Sequence, residues 1–79
     1  MTAQRETGSA EYDYEVMYLL DAPEAGVDGL RDQLAELGDS VAVVGDGHDL
    51  WHVHLHCNDV GAALEAGIAV GRPHRITVV

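Results

Sequence analysis

Two hydrophobic spacings share the chain from Glu11 onward, one repeating every second residue and one every third or fourth. The clearest run is Leu50-Trp51-His52-Val53-His54-Leu55-His56-Cys57-Asn58, where apolar and imidazole side chains alternate. Neighbours on an extended strand point to opposite faces, so Trp51, Val53 and Leu55 are assigned to the core. His52, His54 and His56 then line the other face of the sheet, roughly 6–7 Å apart on strand backbone. By the same parity Cys57 points into the core.

Upstream, Glu11 to Leu20 alternates as a first strand. Tyr14, Val16, Tyr18 and Leu20 form its better core face, leaving Glu15, Met17 and Leu19 on the other. A Pro- and Gly-containing turn follows at residues 21–26. Val27, Leu30, Leu34 and Leu37 then make one helical stripe over Val27 to Leu37, with Asp28 as N-cap and Gly38 as the stop. Ser40 to Val44 reads as a second strand, and Gly45-Asp46-Gly47-His48 as a hairpin loop. After the histidine strand, Asn58 is the expected N-cap of a second helix over Asp59 to Val70. Its apolar positions are Val60, Ala63, Leu64 and Ile68. Arg72-Pro73-His74 is the expected connector to a last strand, Arg75 to Val79, with Ile76 and Val78 inward.

The order βαββαβ folds most economically as an α+β ferredoxin-like sandwich, one four-stranded antiparallel sheet with both helices on one face. In that topology the first and third strands are neighbours. Glu15 then shares the open face with the histidines. Residues 1–10 carry no apolar period and read as a flexible tail or linker, leaving 11–79 as a single α+β domain. The chain stops within an apolar strand, which suggests a fragment of a larger multidomain protein.

Composition narrows the function classes. With 79 residues the chain is one domain, and its single cysteine provides no internal disulfide. A dimer, a metal or attachment to other domains would supplement a core of this size. A net charge of −10 argues against binding nucleic acid or an anionic membrane surface. No segment reads as a membrane span or signal peptide, and the chain is expected to be cytoplasmic. No glycine loop opens a helix to cradle phosphate, so an ATP site within this segment is not expected.

Two strand imidazoles spaced His-x-His suit zinc and other first-row metals, and Glu15 is the best-placed third ligand. Glu15, His54 and His56 are therefore the candidate metal ligands, for Zn²⁺ or else Mn²⁺ or Fe²⁺, with His52 a further candidate. Metal-free proton transfer by a histidine paired with Glu15 is the alternative chemistry. Surface histidines acting only as polar filler are the bland alternative to both. Met17, Leu19, Thr77 and Val79 add apolar area to the open face, which favours a homodimer paired through it.

From Tyr14 onward the sequence also resembles the central domain of bacterial fatty acid kinases, which are dihydroxyacetone-kinase-like proteins. The resemblance rests on Leu37-Gly38-Asp39-Ser40 with Val43-Val44-Gly45, on Val53-His54-Leu55-His56-Cys57-Asn58, and on Gly71-Arg72-Pro73-His74-Arg75-Ile76. It implies a parent kinase that phosphorylates a fatty acid carried by a separate fatty-acid-binding protein. ATP and Mg²⁺ would be held in an N-terminal kinase domain outside this segment, and a C-terminal domain would follow. The resemblance further implies that the central domain supplies a cysteine and two histidines needed for activity and helps the parent dimerise. The histidines match His54 and His56. The cysteine position matches Glu15, where many relatives read Cys-Thr-Glu against Glu15-Val16-Met17 here. That departure either keeps a ligand with a harder atom or marks loss of the metal. On this resemblance Glu15, His54 and His56 are the candidate residues needed for catalysis. The rival reading is a ferredoxin-like dimerisation or small-molecule regulatory module without metal or catalytic role.

Overall fold

The computed structural model describes residues 11–79. The tail expected over residues 1–10 lies outside the described residues. The elements are β1 (Tyr14–Asp21), a 3₁₀ turn (Glu24–Gly26), α1 (Val27–Leu37), β2 (Gly38–Gly45), β3 (Leu50–Cys57), α2 (Val60–Val70) and β4 (Arg72–Val78). The four strands form one sheet in the order β2-β3-β1-β4, and every pairing is antiparallel. This is the expected ferredoxin-like α+β arrangement.

Alternation along β1 and β3 sets the core. Val16, Tyr18 and Leu20 meet Val53, Leu55 and Cys57, all at most 2% exposed, under Val27, Leu30 and Leu34 of α1 and Ala63 and Ala66 of α2. Burying each of the larger aliphatic side chains stabilises the fold by roughly 1.5–3 kcal/mol. Small residues let α2 lie close to the sheet. The ring of Tyr18 fills the space a Cβ at Gly67 would take, and its hydroxyl donates to the Ala63 carbonyl at 2.9 Å. Burial pushes the Tyr18 phenol up to about 12, with the sulfur of Cys57 adding a smaller Coulombic contribution.

Several local expectations give way to the geometry. Asp28 sits in the first turn of α1 and pairs with Arg31 at 3.1 Å; the N-cap is Gly26, because the 3₁₀ turn already starts the winding. Asp59, rather than Asn58, caps α2 by accepting from the Ala62 amide at 3.0 Å. Asn58 instead accepts from the Asp13 amide at 2.7 Å, tying the two chain segments together ahead of β1 and after β3. Ile68 lies five residues beyond Ala63, about 140° round the helix, and is exposed, while Ala66 and Gly67 turn inward. Tyr14, at the first position of β1, is also exposed.

The edge strands differ most from expectation. β4 begins at Arg72, so the expected connector is already strand. Arg75 at φ 52° opens a register shift in which Arg75 and Ile76 stand opposite Tyr18 alone. Beyond the shift Val78 pairs with core-facing Val16, so Ile76 and Val78 point to the helix side, but on this edge strand they remain 45% and 44% exposed. β2 begins at Gly38, two residues earlier than its apolar run suggests. A Cβ at Gly38 would collide with the His56 carbonyl, so glycine permits the close approach of β2 to the end of β3.

Candidate metal centre

Registers place three cross-strand rows on the face away from the helices. The first is Asp39, His56, Glu15 and Val79; the second Ala42, His54, Met17 and Thr77; the third Val44, His52, Leu19 and His74. Glu15 belongs to a central strand and exchanges backbone hydrogen bonds with Val79, at 3.0 and 2.9 Å, on its outer side. Its carboxylate is therefore held between strands rather than on a loop.

The first two rows converge on Glu15. Its Oε2 lies 3.3 Å from His56 Nε2 and 3.6 Å from His54 Nε2. One ligand atom from each of Glu15, His54 and His56 falls within 4.8 Å of the others. The imidazoles meet edge to face, with ring centroids 5.0 Å apart. His56 is fully buried and Glu15 nearly so, at 6%, whereas His54 is partly exposed. A carboxylate so far removed from water needs compensating partners, and His56 Nε2, at 3.3 Å, is positioned to provide one.

The donor set fits a first-row divalent cation. Zinc bonds of 2.0–2.2 Å in a tetrahedral shell place donor atoms about 3.3–3.5 Å apart. The two donor separations at Glu15 Oε2 lie at or near that spacing. Two imidazole nitrogens and a carboxylate oxygen also suit Mn²⁺ or Fe²⁺.

Other candidates separate from this group. His52 lies one row beyond His54, between Val44 and Leu19, and does not join the three. Cys57 points into the core as its parity requires, and burial raises its thiol above the ordinary range. Two neighbours of the site come from β2. The Ser40 carbonyl lies 3.0 Å from His54 Nδ1, and Asp39 Oδ1 lies 3.8 Å from His56 Nδ1. Reading β2 from its apolar residues starts it too late to include Asp39. The Leu37-Gly38-Asp39-Ser40 segment was the available signal, since an extended Asp39 opposite His56 must share its face.

Beside the trio, Met17, Leu19, Ala42, Val44, His52 and Thr77 line a shallow trough of about 270 Å³. It is the apolar part of the open face, with Met17 and Val44 43% and 61% exposed. Among the described residues no helix is long and apolar enough to cross a membrane.

A search of curated proteins finds no match to the chain. The family of FakA-like fatty acid kinase middle domains matches residues 11–79. The chain therefore belongs to that family, as its histidine strand and the Gly-Asp-Ser segment had suggested.

Proposed function

We propose that this domain is the accessory middle domain of a fatty-acid-kinase-like protein, supporting ATP-dependent phosphorylation of a protein-carried fatty acid through a Glu15/His54/His56 metal site. The single observation that carries this reading is the convergence of those three donor groups within 4.8 Å. A bound cation would supply concentrated positive charge and an anchor for an anionic group beside the kinase centre. Glu15 and His56 hold the buried side of the site, and His54 stands at its partly open side. Nucleotide and Mg²⁺ belong to a separate kinase domain of the parent. Its C-terminal domain and a fatty-acid-binding protein are the remaining partners in this reading.

The apolar trough beside the site supports a second role as a homodimer interface. Met17, Leu19 and Val44 would cover one another across a two-fold axis. Sedimentation velocity should detect a dimer at micromolar concentration, and Met17→Glu should shift it to monomer. A monomer throughout that range contradicts this part of the reading.

The metal reading has its own test. Zinc at 100 times its dissociation constant should stabilise the fold by about 2.7 kcal/mol, raising the melting temperature by about 10–20 °C for a domain this small. His54→Ala should lose most of that rise while its apo melting temperature stays close to the parent's. No shift with Zn²⁺, Mn²⁺ or Fe²⁺ would exclude the metal role and favour the interface alone.

A further inference from the structure

The most informative irregularity near the site is in β2. Asp39 pairs with His56 and Ala42 with His54, so Ser40 and Val41 together oppose Leu55. This is a bulge, and its first residue, Ser40, takes φ 54°, a left-handed conformation with a steric cost for serine. Val41 still packs against the core. The extra residue therefore turns the backbone at Ser40 without sending the following side chain to the wrong face.

At that position the Ser40 carbonyl lies 3.0 Å from His54 Nδ1. A carbonyl oxygen only accepts, so Nδ1 must carry the hydrogen. In a neutral ring Nε2 then keeps its lone pair, and Nε2 is the atom that faces Glu15 Oε2 at 3.6 Å. A lone pair opposite a carboxylate oxygen is the arrangement in which a cation between them would be held by both. In a regular ladder the Ser40 carbonyl would lie in the sheet plane, directed at a neighbouring strand.

We infer that the β2 bulge is a positioning device: its left-handed Ser40 aims a backbone carbonyl at His54 Nδ1, fixes the Nδ1–H tautomer and presents Nε2 to the cation at Glu15. The inference rests on the metal reading proposed above, but its first test does not require metal. Ser40 acts through His54 and is a positioning residue. The general logic is that of a ligand histidine oriented by a hydrogen bond on its other nitrogen.

The experiment pairs nitrogen-15 NMR of the histidine rings at pH 8 with zinc titration of the same samples. In the zinc-free parent, His54 should be the Nδ1–H tautomer. Deleting Ser40 leaves Asp39, Val41 and Ala42 in regular alternation against His56, Leu55 and His54. That variant should lose the tautomer bias and bind zinc about 10–100-fold more weakly. Ser40→Gly keeps the carbonyl and relieves the left-handed strain, so its zinc affinity should stay within about threefold of the parent. An Nε2–H tautomer in the parent overturns the inference whether or not the deletion variant folds. So does unchanged zinc affinity in a folded deletion variant. A parent with the Nδ1–H tautomer that binds no zinc instead refutes the metal reading while retaining the carbonyl's control of the ring.

Discussion

Glycine to alanine substitutions in α2 should have opposite signs at two positions. At Gly67 a Cβ would come within 2.7 Å of the Tyr18 hydroxyl oxygen and 2.9–3.0 Å of its ring. Both partners are buried, and the ring is seated between the sheet and the helix. Overpacking of this kind costs about 1–3 kcal/mol. Moving the hydroxyl off the Ala63 carbonyl forfeits roughly 0.5–1.5 kcal/mol more. Alanine's helix propensity returns up to about 1 kcal/mol, leaving Gly67→Ala destabilised by about 1–3 kcal/mol. Gly61 has a different environment: a Cβ there meets only Asp59 Oδ1, at 3.6 Å. Gly61→Ala should therefore stabilise by a few tenths up to about 1 kcal/mol. Urea unfolding monitored by Trp51 fluorescence gives both values, with unchanged slopes indicating an unchanged denatured state. A stabilised Gly67→Ala protein would refute the close seating of Tyr18 beneath α2.

Three further outcomes follow from separate parts of the fold. The Tyr18 phenol is raised to about 12 from an ordinary value near 10, so the folded state favours its protonated form. That contribution is complete below about pH 10 and is lost as pH rises towards 12; a shift of this size corresponds to about 2–3 kcal/mol. Tyr18→Phe should flatten the alkaline limb of a stability-against-pH curve, and an unaltered limb would exclude Tyr18 as its source. Gly38→Ala forces a Cβ against the His56 carbonyl and should weaken zinc binding as well as lower the melting temperature; an unchanged protein would refute the tight β2–β3 approach. His52→Ala should leave zinc affinity within about twofold of the parent, since distant surface changes are usually nearly neutral. A tenfold loss by isothermal titration would place His52 in the site.

Parity made much of this structure legible. The unbroken alternation of Trp51 to Cys57 separates Val53 and Leu55 from His54 and His56, and the same rule places Glu15 opposite the core series of β1. One sheet then requires the three to share a face, and they do. Capping was harder to read because Asn58 and Asp59 are adjacent and both have suitable side chains. Chain geometry gives Asp59 to the helix and Asn58 to Asp13.

The two bulges were not legible at all. Ser40 and Arg75 adopt left-handed backbone without glycine or asparagine to signal it, and register shifts depend on partner strands that no local pattern encodes. Missing the first removes the Ser40 carbonyl from the expected site, while Ile76 stays exposed because β4 lies at the edge of the sheet. Family membership adds what geometry alone cannot: a connection between this small sheet domain and fatty acid kinases.

The most direct measurement is X-ray absorption at the zinc edge on protein loaded with one equivalent of Zn²⁺. The proposed centre predicts a first shell at about 2.0–2.2 Å containing two imidazole nitrogens and one carboxylate oxygen. In Glu15→Gln and His54→Ala the corresponding scatterer should disappear or the metal should wash out. A shell of oxygen alone, or one that is identical in the parent and in His54→Ala, would contradict the assignment of Glu15, His54 and His56 as a metal centre.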